Sequence, residues 1–100
     1  VAITDMNVPG VNVAWCNKGF ERVTGYPKDE TEGRNCRFLQ GGGTEPDVVT
    51  KMVRALRYAK ELVIDVTNYR KEGPKFTNDL SLVPVHDSNG EYRYSIGLLS

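Results

Sequence analysis

The chain has 100 residues, and its 13 basic and 13 acidic side chains give a formal net charge of zero at pH 7. This length suits one domain with room for one cofactor, and the balanced charge gives no general attraction to nucleic acid or anionic membranes. The apolar runs are too short to span a bilayer, and no secretory signal is visible. We therefore expect a single cytoplasmic domain, residues 1–100. Because the chain starts at Val1 rather than Met, we expect a core fragment of a longer protein.

The first half of the chain alternates strand patterns with short helical patterns. We predict strands at 1–5 and 11–16, a helix from its cap Asn17 to about Arg22, a helical turn opened by Pro27 and closed by Gly33, and one further turn at 35–39. Asn17 is a good cap because its side-chain oxygen can accept a free N–H of the first turn. Gly25, which tolerates a left-handed conformation, suits the end of that helix.

The second half is predicted to form one longer helix followed by three strands. Thr44 can cap a helix that begins near Pro46 and runs to about Lys60. The apolar stripe of this helix comprises Val49, Met52, Val53 and Leu56. Strands are predicted at 62–70, 75–86 and 91–99, joined by hairpin turns at 72–73 and 89–90. The order of strands and helices predicts an α+β fold, an antiparallel sheet with helices packed on one face.

Strand pairing predicts an unusual inner face for this sheet. If the first hairpin turns about its glycine, Asn68 lies opposite Asn78, and if the second has a two-residue turn, Leu82 lies opposite Gly97. Two carboxamides would then stand together on an apolar face, beside a gap left by Gly97 and Ser95. A flat heteroaromatic ligand would fill the gap and bond both amides. Alternatively, the amides bond each other or the flanking backbone.

A polar segment from Gly33 to Gln40 carries a thiol, Cys36, and is followed by three glycines. A lone cysteine is most often a small buried hydrophobic residue, but these flanks favour a site where the sulfur meets a planar, hydrogen-bonding anionic ligand. The only histidine, His86, lies at the far end of its strand, so a thiol hydrolase has no obvious base. The spacing of the two cysteines and the histidine predicts no metal site, and we expect no disulfide.

The segment Gly33–Gln40, with residues 68–73 (Asn-Tyr-Arg-Lys-Glu-Gly) and the positions of Asn78 and Gly97, closely resembles the LOV (light-oxygen-voltage) branch of the PAS domains. The resemblance covers essentially the whole chain without a gap. It implies a PAS-like five-stranded antiparallel sheet, with a flavin, usually FMN and sometimes FAD, held noncovalently between sheet and helices. It also implies a blue-light photoreceptor domain that regulates an attached effector, such as a kinase, and itself turns over no substrate.

The resemblance further implies a role for each matching residue. Cys36 matches the cysteine that forms a reversible adduct with carbon 4a of the photoexcited flavin, and Arg37 matches an arginine that binds the phosphate. The amides expected to bond the polar ring edge and the ribityl chain are Asn35, Gln40, Asn68 and Asn78. The residues expected to wall the ring or the chain are Thr4, Leu39, Val49, Met52, Leu56, Val66, Leu80, Leu82 and Gly97.

Three positions depart from the family pattern. Val53 stands where the family usually has a second phosphate-binding arginine, which predicts weaker flavin retention unless Arg54 or Arg57 reaches the phosphate. Val11 replaces an asparagine near the ribityl chain, with the same tendency. Leu99 replaces the glutamine that faces flavin N5 and relays its protonation, so the signal would need another route, such as Asn68 or Asn78, a water, or strand repacking.

The opposite face of the sheet is partly apolar, and we expect it to dock a flanking helix or a second copy of the chain. Its residues are Val63, Thr67, Tyr69, Val83, Val85, Tyr92, Tyr94, Ile96 and Leu98. The alternative function is a PAS-type interaction module that dimerises through this face and holds another ligand or none. A thiol-dependent or flavin-dependent enzyme is the least favoured reading.

Overall fold

The computed structural model describes residues 1–100. The strands are β1 (Ala2–Asp5), β2 (Val13–Cys16), β3 (Leu62–Tyr69), β4 (Lys75–His86) and β5 (Tyr92–Leu98), and the helices are α1 (Lys18–Thr24), α2 (Lys28–Thr31), a single 3₁₀ helix (Cys36–Leu39) and α3 (Pro46–Arg57). The strands form one sheet in the order β2-β1-β5-β4-β3, with every neighbouring pair antiparallel. The predicted α+β class and five-stranded antiparallel sheet are confirmed. None of the helices combines the length and apolar character that a membrane crossing requires.

The boundaries of α1 follow from its caps, as predicted. The Oδ1 atom of Asn17 accepts a hydrogen bond from the Phe20 backbone N–H at 3.0 Å. At the other end, Gly25 adopts φ 77° and donates its N–H to the Glu21 carbonyl. A left-handed residue at this position ends the helix because it turns the chain away from the helix axis.

The start of α3 differs from the prediction that Thr44 caps it. The Thr44 hydroxyl donates to the Thr67 carbonyl at 2.7 Å and so ties the loop to β3. Glu45 occupies the cap position without a side-chain cap, and its carboxylate accepts hydrogen bonds from the Thr67 N–H and hydroxyl at 2.9 and 2.8 Å. These bonds lower the pKa of Glu45 because they favour its charged form. The helix ends at Arg57, short of the predicted Lys60, because the chain becomes left-handed at Ala59 (φ 51°).

The first hairpin has a different register from the one predicted. Asn78 faces Val66 rather than Asn68. The pairing extends to the turn, where the Arg70 N–H donates to the Pro74 carbonyl at 2.9 Å, so the loop is centred one residue earlier than predicted. This moves every partner by two residues, and a two-residue shift keeps each side chain on its original face.

The second hairpin has the predicted register along most of its length, with Leu82 facing Gly97. A bulge between Val85 and His86 then pairs His86 with Tyr92, and the two rings lie 5.7 Å apart. Directly opposite residues share a face, and His86 alternates with Leu82 on the inner face. The prediction that Tyr92 lies on the outer face is therefore wrong, because simple alternation does not anticipate a bulge.

The core consists of two separate clusters of buried side chains. The first cluster comprises Ala2, Val13, Cys16, Phe20 and Leu39. The second comprises Val48, Ala55, Val66, Leu80 and Leu82, and it lies where α3 crosses the sheet. Leu99 packs against both clusters. A small domain with a divided core leaves space between the two parts.

Candidate functional site

A cavity of about 520 Å³ occupies this space, with walls from residues of both clusters. The inner sides of β1, β3, β4 and β5 form one wall, and the 3₁₀ helix and α3 form the other. Most of the wall is apolar, with a few polar side chains. Its size and composition are those of small-molecule sites, which typically measure about 300–1,000 Å³.

The structure brings nearly all of the proposed site residues to this one cavity. Those that line it are Thr4, Asn35, Cys36, Arg37, Leu39, Gln40, Val49, Met52, Leu56, Asn68, Asn78, Leu80, Leu82, Gly97 and Leu99. Val66 does not line the cavity and is only 1% exposed, packed in the second cluster with Val48 and Ala55 of α3. Its placement on the cavity wall is wrong, because α3 covers that part of β3.

Several further residues line the cavity. Four residues that the sequence analysis discussed, but did not place among the site residues, also line the cavity: Ser95, Val11, Val53 and Arg57. Arg54 does not line it. Ala2 and Met6 were missed. Alternation along β1 from Thr4 places both on the same face, so this simple signal could have identified them.

The two buried asparagines form a linked pair on the cavity wall. Asn78 Nδ2 donates to Asn68 Oδ1 at 3.0 Å, and Asn68 Nδ2 donates to the Thr67 carbonyl at 3.3 Å. Asn78 Oδ1 accepts the Ser100 N–H at 3.3 Å. The amides therefore bond each other and the backbone, which is the second of the two alternatives that the sequence left open. Each amide nitrogen carries two N–H groups, so each retains one for a ligand.

Asn35 fixes the segment that carries the thiol. Its Oδ1 accepts the Arg37 N–H at 3.0 Å and so caps the 3₁₀ helix, while its Nδ2 donates to the Gly10 carbonyl at 3.0 Å. The 3₁₀ helix and the loop before β2 are thereby held together. Cys36, the first residue of this helix, is positioned at the cavity by these two bonds.

Cys36 is a protonated thiol at neutral pH. It packs against the first cluster, and burial, with a smaller contribution from Cys16, raises the pKa of Cys36 to about 11. Both cysteines are free. His86 is not among the residues that line the cavity, and no group of acidic, histidine or cysteine side chains is arranged to hold a metal ion. A site with a neutral thiol and no neighbouring base does not resemble that of a thiol hydrolase.

Comparisons with known proteins identify the family of this chain. The PAS domain family model matches residues 1–100. A blue-light-activated histidine kinase of Rhizobium johnstonii is 40% identical over 97 residues, which are 97% of this chain and 28% of the kinase. The light-state structure of the blue-light photoreceptor Aureochrome1 LOV matches with TM-score 0.95 and 35% identity, covering 99% of this chain and 77% of that one.

A second solved structure, the light-state dimer of the fungal blue-light photoreceptor Vivid, matches with TM-score 0.94 and 29% identity over 99% of this chain and 74% of that one. The chain therefore belongs to the PAS domain family and, within it, to the LOV domains. Its predicted role as a blue-light photoreceptor domain is confirmed. It spans little more than a quarter of the length of the Rhizobium kinase (28%).

Proposed function

We propose that this domain binds a flavin noncovalently in the cavity, FMN or alternatively FAD, and that Cys36 forms a reversible bond to it in blue light. The observation that carries the proposal is that the Cys36 thiol and the Asn68–Asn78 pair line the same apolar cavity. The light-driven change would then regulate an effector outside residues 1–100.

The residues on the wall fit a flavin. Its tricyclic ring is apolar on both faces, which suits Leu80 and Leu82, and one edge carries alternating donors and acceptors, which suits two carboxamides. At Gly97 a Cβ atom would stand 3.8 to 3.9 Å from side-chain atoms of Leu80 and Leu99. The absence of that atom leaves room for a flat ligand against the sheet.

A bound flavin supplies light-driven reactivity toward thiols at its carbon 4a. Cys36, on the cavity wall, would be the residue that reacts with the flavin in the light, and its thiol would supply the proton for that reaction. Burial, which raises the pKa of Cys36 to about 11, keeps that proton on the sulfur in the dark at neutral pH. The reaction would need no oxidant or reductant, because the Cys36 thiol would add to the ligand and later be released unchanged.

The signal must leave this site without the glutamine that the family resemblance places at position 99. Leu99 has no side-chain donor or acceptor, but it packs against both core clusters and can respond to movement of either. Asn78 offers a polar route, because its Oδ1 atom accepts the N–H of Ser100, just beyond the end of β5. We propose that the change reaches the sheet through the contacts of Leu99, through Asn78, through Asn68 or through a water.

The outer face of the sheet is the proposed contact with a partner. Val63 is 75% exposed and Leu98 44% exposed on this face, and single-copy domains seldom leave large apolar patches uncovered. We propose that it docks a second copy or a flanking segment, and that the effector is an enzyme such as a kinase. A cytoplasmic location is supported by the two free thiols, which reducing compartments maintain. Substituting Ile96→Asp should reduce dimerisation in sedimentation experiments while bound flavin remains.

The absorption spectrum of the purified domain tests the central proposal. A flavin gives a yellow protein whose blue absorption band bleaches on illumination and recovers in the dark. Cys36→Ala should keep the band and its fluorescence but lose the reversible bleach. A colourless protein that cannot be loaded with flavin would contradict flavin binding, and a bleach that persists in Cys36→Ala would contradict the role of the thiol.

A further inference from the structure

The charged side chains on the cavity wall are two arginines, Arg37 and Arg57, and no carboxylate lines the wall. Neither guanidinium forms an ion pair, since the two salt bridges of the chain are Lys28–Glu32 and Lys71–Glu30. Two cations at one cavity without a counter-charge favour a ligand that carries negative charge.

Arg57 reaches the cavity because of its position on α3. It lies four residues after Val53, and residues at i and i+4 share one helix face. Both residues line the cavity. Arg54 does not line the cavity and instead borders a separate shallow hollow with Lys51, Tyr58 and Glu61. The two arginines lie in the same last turn of α3, but only one of them faces the site.

We propose that Arg57 binds the terminal phosphate of the ligand together with Arg37, and so makes the site selective for phosphorylated flavins over riboflavin. This inference rests on the proposed function, because it names the residues that bind the phosphate end of the same flavin. Val53 has no polar group, and Arg57 supplies a cation from one helical turn further along. A guanidinium is well suited to this, because its planar fork bonds phosphate oxygens in pairs.

The alternative explanation for Arg57 is a structural one, since a cation in the last turn of a helix is favourable in any case. Arg54 would satisfy that role equally well. The two residues therefore form a matched pair, with the same side chain, the same helix turn and the same charge. A binding role changes ligand preference when Arg57 is replaced, whereas an end-of-helix role changes only stability, and does so at either position.

The test compares binding of FMN and riboflavin to the flavin-free domain, using quenching of flavin fluorescence, for the wild type, Arg57→Gln and Arg54→Gln. We expect Arg57→Gln to weaken FMN binding about tenfold, equivalent to ~1.4 kcal/mol, and to leave riboflavin binding within a factor of two. Arg54→Gln should preserve the preference for FMN. The Val53→Arg change added to Arg57→Gln should restore it, and far-UV circular dichroism confirms that each variant is folded.

The outcomes separate this inference from the function on which it rests. If the wild type binds neither compound, the flavin proposal itself fails and Arg57 has no ligand to select. If the wild type binds both flavins equally well, or Arg57→Gln keeps the full preference for FMN, the flavin site stands and the role of Arg57 is wrong. An equal loss of preference in Arg54→Gln would also overturn it, because the effect would then belong to the general charge of the helix end.

Discussion

Asn78 and Asn68 are bonded to each other diagonally across two strands, with Nδ2 of Asn78 3.0 Å from Oδ1 of Asn68. The residue directly opposite Asn78 is Val66, not Asn68. Both amides are almost fully buried, at 1% and 4% exposure. The pair therefore stays hydrogen-bonded without a ligand, yet each amide can still offer an N–H to one.

The first prediction concerns the energy of this amide pair. Asn78→Leu should destabilise the flavin-free domain by about 1–3 kcal/mol, because Asn68 Oδ1 and the Ser100 N–H lose their partner. Asn68→Leu should have a similar effect. The free energy of unfolding that the double variant loses should be smaller than the sum of the two single losses, by about 0.5–1.5 kcal/mol. Urea unfolding of the four proteins measures this, and strictly additive losses would show that the amides are not coupled.

The hairpin that carries this pair shows what sequence reasoning can and cannot supply. Alternation along β3 and β4 placed Asn68 and Asn78 on the inner face correctly, because a period of two is a strong local signal. Their partners were wrong by two residues, because the register depends on the loop closed by Arg70 and Pro74. The assignment of side chains to the two faces was still correct, because only a register shift by an odd number of residues moves the side chains to the other face.

The second prediction follows from the protonation of Cys36. Its folded-state pKa is raised from 9.0 to about 11, so the folded state holds the proton more tightly than the unfolded state. The resulting stability is fully present below about pH 9 and is lost as the pH rises toward 11. Relative to Cys36→Ala, the flavin-free wild type should lose roughly 2–3 kcal/mol over this range.

Urea unfolding of both proteins at pH 8 and pH 11 measures this difference. The comparison with Cys36→Ala cancels the titration of lysines and tyrosines, which both proteins share. The titration of Cys16 is also common to both proteins, apart from its smaller interaction with Cys36, which is part of the effect being measured. If the two proteins lose stability in parallel from pH 8 to pH 11, the Cys36 thiol is not held in the protonated form by burial.

The cavity itself was predictable in some parts and not in others. The apolar stripe of α3 correctly indicated the residues that face the cavity, and extending it by one turn leads from Val53 to Arg57. The prediction that Val66 lines the cavity was wrong, because alternation identifies the inner face of β3 but does not show where α3 crosses that face. The bulge that turns Tyr92 inward has no strong local signal either. Placement within an element was predictable, whereas contact between elements required the structure.

The third prediction concerns backbone strain at Val11, which lines the cavity with φ 52°. A β-branched residue rarely adopts this left-handed conformation, whereas asparagine tolerates it. Val11→Asn should therefore stabilise the domain by about 1 kcal/mol. Val8→Asn is the matched control in the same loop, at an exposed position without positive φ, and should be close to neutral. Equal effects in thermal or urea unfolding would mean that Val11 is not strained.

The fourth prediction separates the stability of the domain from its capacity for a ligand, using Gly97. This glycine faces the cavity, its φ is not positive, and an added Cβ would meet only ordinary contacts at 3.8 to 3.9 Å. Gly97→Leu should therefore fold with unchanged or slightly greater stability, because the new side chain buries apolar surface and removes the entropy cost of glycine in a strand. The same side chain would occupy the space proposed for the flavin ring.

Bound flavin in purified Gly97→Leu should accordingly fall severalfold or more below the wild-type value, as measured by the ratio of blue to ultraviolet absorbance, while urea unfolding shows a stable fold. Gly42→Leu provides the control, since Gly42 is exposed, has no positive φ and has no neighbour within 4 Å of an added Cβ. It should retain the full flavin content. If Gly97→Leu retains a normal amount of flavin with an unshifted spectrum, the flavin does not bind against this part of the sheet and must be sought outside the cavity between the two clusters.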